Sequence, residues 1–500
     1  MKIFNQHKNK LRVLSIYTLF ISVFGCQDFL EENPESLLSP SNFPQSAEDA
    51  NLILGGISNN LASSDFGNRS IIFLAETSSD EGTTRYTSGD RYSIDHYEYV
   101  NSNQYITNVY NTCYKIINQA NALITYLPND EDWAKPYVAA GKFYRAWMYS
   151  YLVRLYGPAI IRDTPTEVVN PDEVVVRVSE EEVYNFIISD LEEAQNDLPL
   201  NWTGDDYNDD GRPTQGAAKI LLAKMYISMA GYPVNDTSKW ELGLNKAQEV
   251  IDSGVYQLKS NFSDLFLIAN KNQEESILSI QMAEVDGQLS IQHRPTGGGI
   301  SNGGWYLFSA SEKLMNSFDD NDDRKEGTFV INFVQETGTT NYTSFSRNRN
   351  YGPVPAVQKF QDFNREDITE NARRTSLGLP IFRFAEAYLI KAEAENEVNG
   401  PTEEAIEAIN ILRRRAHADE IPEEGLTKDE LRDIIQQEWS FELAFELKRR
   451  FNILRWGIMD EVLGNDERAS LGYQSYKQYY PIPQAEFDSG LDPSLQNPGY

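Results

Sequence analysis

Gly299-Ile300-Ser301-Asn302-Gly303 has the G-x-S-x-G spacing of a serine nucleophile held on a strained turn. That chemistry needs an apolar strand before the serine and a helix after it. The flanks are His293-Arg294-Pro295-Thr296 and Gly304-Trp305, so the match is a coincidence of a Gly-rich loop. Asp206-Tyr207-Asn208-Asp209-Asp210-Gly211 opens like a calcium loop, with ligand types at positions 1, 3 and 5 and Gly at 6. Position 12, where a bidentate Glu belongs, is Ala217, so the EF-hand is excluded. An irregular calcium site on Asp206, Asn208 and Asp210 stays open beside the simpler reading of a solvated acidic loop. Asp205-Asp206 and Asp319-Asp320 with Asp322-Asp323 are carboxylate pairs of the kind that hydrolyse glycosides. With 75 acids in the chain such pairs arise by chance, and these are read as solvated loop acids, not as catalysts. Of the four histidines, His7 falls in an N-terminal signal, and His96, His293 and His417 show no metal-ligand spacing. There is no Walker loop, no dinucleotide-binding Gly pattern and no Cys-x-x-Cys, so nothing demands a cofactor.

The positive signal is aromatic. Sugars present C–H-rich faces that stack on Tyr and Trp rings, while Asn, Asp and Arg take the hydroxyls. Tyr86, Tyr92, Tyr97 and Tyr99 share a polar segment with Arg85, Asp90 and Arg91. Asn302, Trp305 and Tyr306 belong to the Gly-rich stretch, and Tyr342, Phe345 and Tyr351 sit among Asn348 and Asn350. The candidate ligand-binding set is therefore Tyr86, Arg91, Tyr92, Tyr97, Asn302, Trp305, Tyr306, Tyr342 and Tyr351. Any one of these aromatics could equally be packed. The expectation is that at least two form a sugar platform, whereas an aromatic on a helix, such as Trp147, is core.

Loops that bind need a rigid frame, and two patterned regions supply it, about 104–260 and 381–463. Tyr105, Val109, Cys113, Ile116, Ala120 and Leu123 recur at helical steps, closed by Pro128. Tyr137 to Leu155 repeats the pattern and stops at Gly157-Pro158. Ser179 with Glu182 is a capping box opening a helix to about Leu198. Thr214 opens another, closed by Gly231-Tyr232-Pro233, and Trp240 to Ser253 makes a fifth. Asn170 to Val178 reads as an extended connection. In the second region, Phe384 to Ala394 and Thr402 to Leu412 form a pair. Thr427 with Glu430 then caps a long helix reaching Glu446 or beyond. These hairpins resemble tetratricopeptide-type repeats of loose period. The fold class is mainly α, a helix-hairpin scaffold with loop-rich insertions and a few short strands. The stretches facing ligand are about 64–103 and 280–380.

Residues 1–25 carry Lys2, Lys8, Lys10 and Arg12, then an apolar run from Val13 to Phe24, then Gly25 before Cys26. That is a secretory signal whose end looks like a bacterial lipobox, making Cys26 the lipidated first residue of the mature chain. Twelve apolar residues rise about 18 Å as a helix, too short for a hydrocarbon core of roughly 30 Å. Residues 26–45 read as a tether and 46–500 as the body, although length alone would suggest about three domains. The formal charge is −31, and nearer −35 once the four cations of the signal leave. So acidic a chain argues against binding nucleic acid and against docking on anionic lipid through protein charge. With Cys26 acylated, Cys113 is alone and no disulfide framework exists.

Three blocks resemble one family. Phe382 to Ala394 with Ala408-Ile409-Asn410 and Arg413 to Ala416 is similar to the helix pair of SusD/RagB proteins. Glu438 to Glu446 with Lys448 to Gly457 resembles their acidic helix and "L-x-R-W" block, and Tyr480-Pro481-Ile482-Pro483 with Gln496 to Tyr500 their "PIP…NPGY" ending. Cys26 to Leu30, Tyr114 to Asn121, Arg145 to Gly157 and Gly211 to Thr214 also fit, in the family's order along the mature chain. The resemblance implies an outer-membrane, cell-surface lipoprotein that captures oligosaccharide or polysaccharide without cleaving it. It also implies a partner, a SusC-like TonB-dependent transporter over which the lipoprotein acts as a lid. The alternative within the resemblance is a peptide-capturing, RagB-like or helical-repeat adaptor lipoprotein.

Overall fold

Each helix starts and stops where local chemistry requires. The computed structural model describes residues 43–84, 86–166, 175–203, 211–282, 308–330, 355–360 and 376–500, with the backbone of four further strands between 332 and 353. Helix α1 is Ala47–Ala62 and α2 is Gly89–Asp95. Helix α3, Gln104–Tyr126, begins where the Asn103 side chain accepts from the Tyr105 and Ile106 amides at 3.0 and 3.3 Å. Helix α4, Lys135–Tyr156, carries Pro136 in its first turn and ends at Gly157, whose φ of 74° suits glycine. A Cβ there would also meet the Tyr479 ring at 3.1 Å. The capping box at Ser179 and Glu182 opens α5, Glu180–Asp197. Thr214 caps α6, Gln215–Ala230, and α7 is Lys239–Asp252. After α8, Glu312–Ser317, come α9, Phe384–Asn399, and α10, Glu403–Arg415. The second capping box opens α11, Lys428–Leu443, followed by α12, Arg449–Arg455, and α13, Met459–Gly464.

Sequence neighbours pack as hairpins: α3 on α4, α4 on α5, α5 on α6, α6 on α7. Helix α7 then packs on α9, and α9 on α10 and α11, which joins the two patterned regions in one stack. Helix α4 lies at the centre, and Trp147 is 2% exposed among Phe143, Tyr144, Tyr151 and Phe382. Among the described residues strands are short and pair in twos: β1 Gly82–Thr84, β2 Ser276–Ile280, β3 Phe308–Ala310, β4 Phe329–Val330, β5 Asn332–Gln335, β6 Gly338–Asn341, β7 Arg347–Asn348, β8 Gly352–Pro353, β9 Ala356–Val357 and β10 Leu379–Arg383. The antiparallel ladders are β1–β3, β2–β10, β4–β9, β5–β6 and β7–β8. The architecture is the mainly helical hairpin scaffold with short strands that the periodicity predicts.

Two expectations differ. Helix α11 stops at Leu443 instead of reaching Glu446, and Phe445 and Leu447 adopt left-handed backbone with φ of 63° and 61°. The reason is electrostatic. Glu446 accepts from Arg383 Nε at 2.7 Å and from Lys359 at 2.9 Å, and the Leu447 amide donates to buried Glu76 at 2.5 Å. The segment 64–103, expected as loop, holds a helical turn Ser70–Ile72, a π-turn Phe73–Thr77 and α2. Ser70 to Thr77 is buried on every side, so it has no amphipathic period to read.

Under α9 and α11 lies a buried ion network. Arg383 pairs with Glu275, Glu442 and Glu446, and Arg324 with Asp322, Glu438 and Glu442. Lys359 pairs with Glu446, Arg413 with Glu438, and Arg415 with Glu275 and Glu442. Five cations thus face five carboxylates, and such matching is what keeps burial of charge tolerable.

Candidate functional site

Strand β1 pairs with β3 in the register Gly82↔Ala310, Thr83↔Ser309, Thr84↔Phe308. Because the pairing is antiparallel, the end of β1 that leads to Tyr86 lies beside the start of β3, two residues after Tyr306. The two ligand-facing stretches of the sequence therefore meet at one end of one ladder. Asp95 on α2 fixes this corner. Its Oδ2 accepts from the Thr84 amide at 3.2 Å and the Thr83 hydroxyl at 3.1 Å, and Arg468 pairs with its Oδ1 at 2.7 Å.

Arg91 projects from α2 and organises the aromatics. Its guanidinium lies 4.5 Å over the Tyr86 ring and 5.3 Å from Phe73, and its Nε donates to the Tyr105 hydroxyl at 2.6 Å. Such a cation over a ring holds both in place. Tyr86 and Arg91 are half-buried, so each keeps surface towards solvent. Tyr92, also half-buried, stacks on His96 with centroids 3.8 Å apart. The structure thus brings Tyr86 and Arg91 together at the surface, while Tyr92, next along the helix, packs on His96.

Tyr97 is a correction. It is 0% exposed; its hydroxyl donates to the Ser78 carbonyl at 2.5 Å and accepts from Arg450 at 2.8 Å, and its ring meets the Tyr473 edge. The left-handed residue at the end of α2 turns this side chain inward, leaving no face for a ligand. Tyr99 is core as well, packed on Tyr480 and Tyr500. Asn302, Trp305, Tyr306, Tyr342 and Tyr351 lie outside the described residues, as do Asp206, Asn208 and Asp210. Among the described residues no cluster of three or more His, Cys, Asp or Glu is placed to hold a metal.

A groove of about 400 Å3 runs beside the ladder, lined by Asp80, Thr83, Ser311, Lys313, Asn465 and Asp466 among others. A second hollow of about 230 Å3 adjoins it through Asp80 and Lys313 and reaches Gln436, Gln437 and Arg449. The sequence gives no sign of these residues, because they come from separate segments that meet only in the fold. Asp80 and Glu81 share Arg449, at 2.7 and 3.6 Å. Burial opposes it, but the Arg449 guanidinium holds Asp80 below the usual carboxylate range. Burial pushes Glu81 up to about 7, with Arg449 opposing and Asp80 adding. Two carboxylates leaning on one arginine form an ion-paired cluster, not two groups flanking an open gap. The amides, hydroxyls and charged ends that line these hollows can hydrogen-bond a polyhydroxylated ligand, while the Tyr86 ring stands at the other end of the ladder.

The scaffold is a stack of helix hairpins that carries this corner on its loops. A family model described as "SusD family" matches residues 274–500, and one described as "Starch-binding associating with outer membrane" matches 28–227. The chain belongs to the SusD/RagB family. It is 28% identical to SusD-like protein P2 of Formosa agariphila, covering 97% of this chain and 99% of that one. SusD-like protein P25 of the same organism is 26% identical over 98% of this chain and 100% of its own. Starch-binding protein SusD of Bacteroides thetaiotaomicron is 24% identical over 72% of each. Among solved structures, a SusD homolog from B. thetaiotaomicron superposes with TM-score 0.79 at 23% identity, covering 92% of this chain and 98% of that one. Surface glycan-binding protein A from Bacteroides uniformis gives 0.73 at 22%, covering 90% and 99%. A structure solved with a xylogluco-oligosaccharide gives 0.72 at 20%, covering 88% and 96%.

Proposed function

We propose that this chain is a lipid-anchored, cell-surface protein that captures oligosaccharide or polysaccharide without cleaving it and delivers it to a SusC-like TonB-dependent transporter. The observation that carries the glycan reading is the β1–β3 ladder, which joins the segment of the Tyr86–Arg91 pair to the strand that follows Trp305 and Tyr306 in sequence. Related proteins bear the same chemistry in their descriptions: starch for one relative, xylogluco-oligosaccharide for one solved structure. Arg449 holds Asp80 as a charged acceptor on the groove wall, which suits hydrogen bonding to a hydroxylated ligand. Anchoring rests on Cys26 after its basic and apolar leader. Any calcium would be held by Asp206, Asn208 and Asp210, as a support of the loop before α6.

The test is a panel of polysaccharides in affinity gels, with calorimetry on each hit, using the mature lipid-free chain. One glycan class should retard the protein with no products formed. Tyr86→Ala and Trp305→Ala should each weaken binding roughly tenfold, about 1.4 kcal/mol, with unchanged circular dichroism. A blank panel with folded protein would favour peptide capture, and unaltered affinity in both variants would move the site elsewhere.

A further inference from the structure

Tyr114 follows Tyr105, the partner of Arg91, by nine residues of α3, which sets it about 14 Å further along and half a turn round the helix. There a hollow of about 280 Å3 opens to solvent, close to the size at which ligand pockets begin. One wall is apolar: the Tyr110 and Tyr114 rings, 4.9 Å apart, with Ile117 and Ile160. The other is polar and carries Asn118, Arg162, Thr164 and Glu486, the last from the short helix Gln484–Asp488. Both walls are pinned. Asn121 donates to the carbonyls of Arg162 and Thr164, each at 3.0 Å, and the Tyr114 hydroxyl donates to the Ile160 carbonyl at 3.0 Å. Asn118 Oδ1 accepts from the Thr166 amide and hydroxyl, both at 2.8 Å, which leaves its Nδ2 to donate elsewhere. Arg162 and Glu486 are half-buried, yet among the described residues neither charged end has a hydrogen-bond or ion-pair partner, the other included.

Elsewhere in this fold arginines near acids close onto them, as Arg449 does on Asp80 and Arg455 on Glu393. Here the pair stays open. Burial raises the Glu486 carboxyl, and Arg162 opposes this without touching it. One charge of each sign cancels, so the hollow gives a simple ion little to gain. A neutral ligand with one apolar face and several hydroxyls can use every group present. We propose that the hollow is a second glycan subsite, which binds one neutral pyranose unit with a C–H face on the Tyr114 ring. Its hydroxyls donate to the Glu486 carboxylate and accept from Arg162 and Asn118 Nδ2. The subsite presupposes the glycan capture proposed above and lies apart from the corner at β1 and β3. Two sites on one chain strengthen the hold on a long polysaccharide while each grips a short oligomer only by its own contacts.

The test is calorimetry on the mature chain with a tetrasaccharide of the class that retards it in affinity gels. The parent should bind two tetrasaccharides per chain. A double variant, Arg162→Ala with Glu486→Ala, should bind one and keep the parent Tm, because neither side chain has a partner in the fold. Tyr86→Ala should weaken only the other site. Retardation by the long polysaccharide should fall roughly tenfold or more in the double variant. One site in parent and variant alike, with equal retardation, overturns the subsite and leaves glycan capture standing. A parent chain that no glycan retards takes down both. Heat from glycylglycine at this site, with none from sugar, overturns the subsite as well. If the double variant does not fold, crystals of the parent soaked in the tetrasaccharide decide: density against Tyr114 supports the subsite, and an empty hollow overturns it.

Discussion

Glu76 shows how one buried carboxylate sets a pH limit. Burial pushes it up to about 8, Glu81 adds to this, and its bond from the Leu447 amide opposes it. Unfolded, the same group ionises near 4.5. Between these values the folded chain holds a proton that the unfolded chain has lost. Stability therefore declines as pH rises from about 4.5 through 8, by a few kcal/mol in all. Glu76→Gln keeps an acceptor for the Leu447 amide and carries no charge. Its Tm relative to the parent should climb steadily from pH 5 to pH 9, read by scanning calorimetry in matched buffers. A flat difference across that range would mean that Glu76 ionises normally in the folded state. The carboxylate also explains why Leu447 keeps its left-handed backbone, which nothing in the local sequence announces.

Helices with caps and stops in the local sequence were legible before any coordinates, even α4 and α6, which are buried on nearly every face. The Ser179 and Thr427 capping boxes, the Thr214 cap and the Gly157 stop all lie where spacing puts them. Tyr97 was misread because a polar, Gly-containing neighbourhood looks exposed, yet its ring packs on residues hundreds of positions away. The Asp80–Lys313 groove was invisible for the same reason: its walls are distant in sequence. Local signals do have local consequences. Thr427→Ala removes the acceptor for the Glu430 amide and the hydroxyl donor to the Glu430 carboxylate, leaving only the backbone amide of 427 on that carboxylate, a loss of about 1 kcal/mol at that helix end. In so large a body the global Tm will barely move. Hydrogen exchange of the amides of residues 429–431 should instead quicken about fivefold. Unchanged protection there would mean that packing against α9 alone holds the end of α11.

At the scale of the molecule, charge and anchoring belong to one argument. A formal charge of −31 repels anionic lipid and gives a crowded surface no electrostatic hold on the protein. Among the described residues no helix is long and apolar enough to cross a membrane. On the proposed reading acyl chains on Cys26 supply the attachment, and two or more make it stable where one would not. Cys26→Ala should therefore shift the protein from the detergent-extracted membrane fraction to the soluble one, with the body still folded and still able to bind glycan in a gel. Changing ionic strength should not return it to the membrane, because a chain of net charge −31 is repelled by anionic lipid and salt only weakens that repulsion. If the variant stays with the membrane in high salt and in low, attachment runs through a protein partner instead. The transporter would then hold the body without the lipid, and removing that transporter from the same cells should release it.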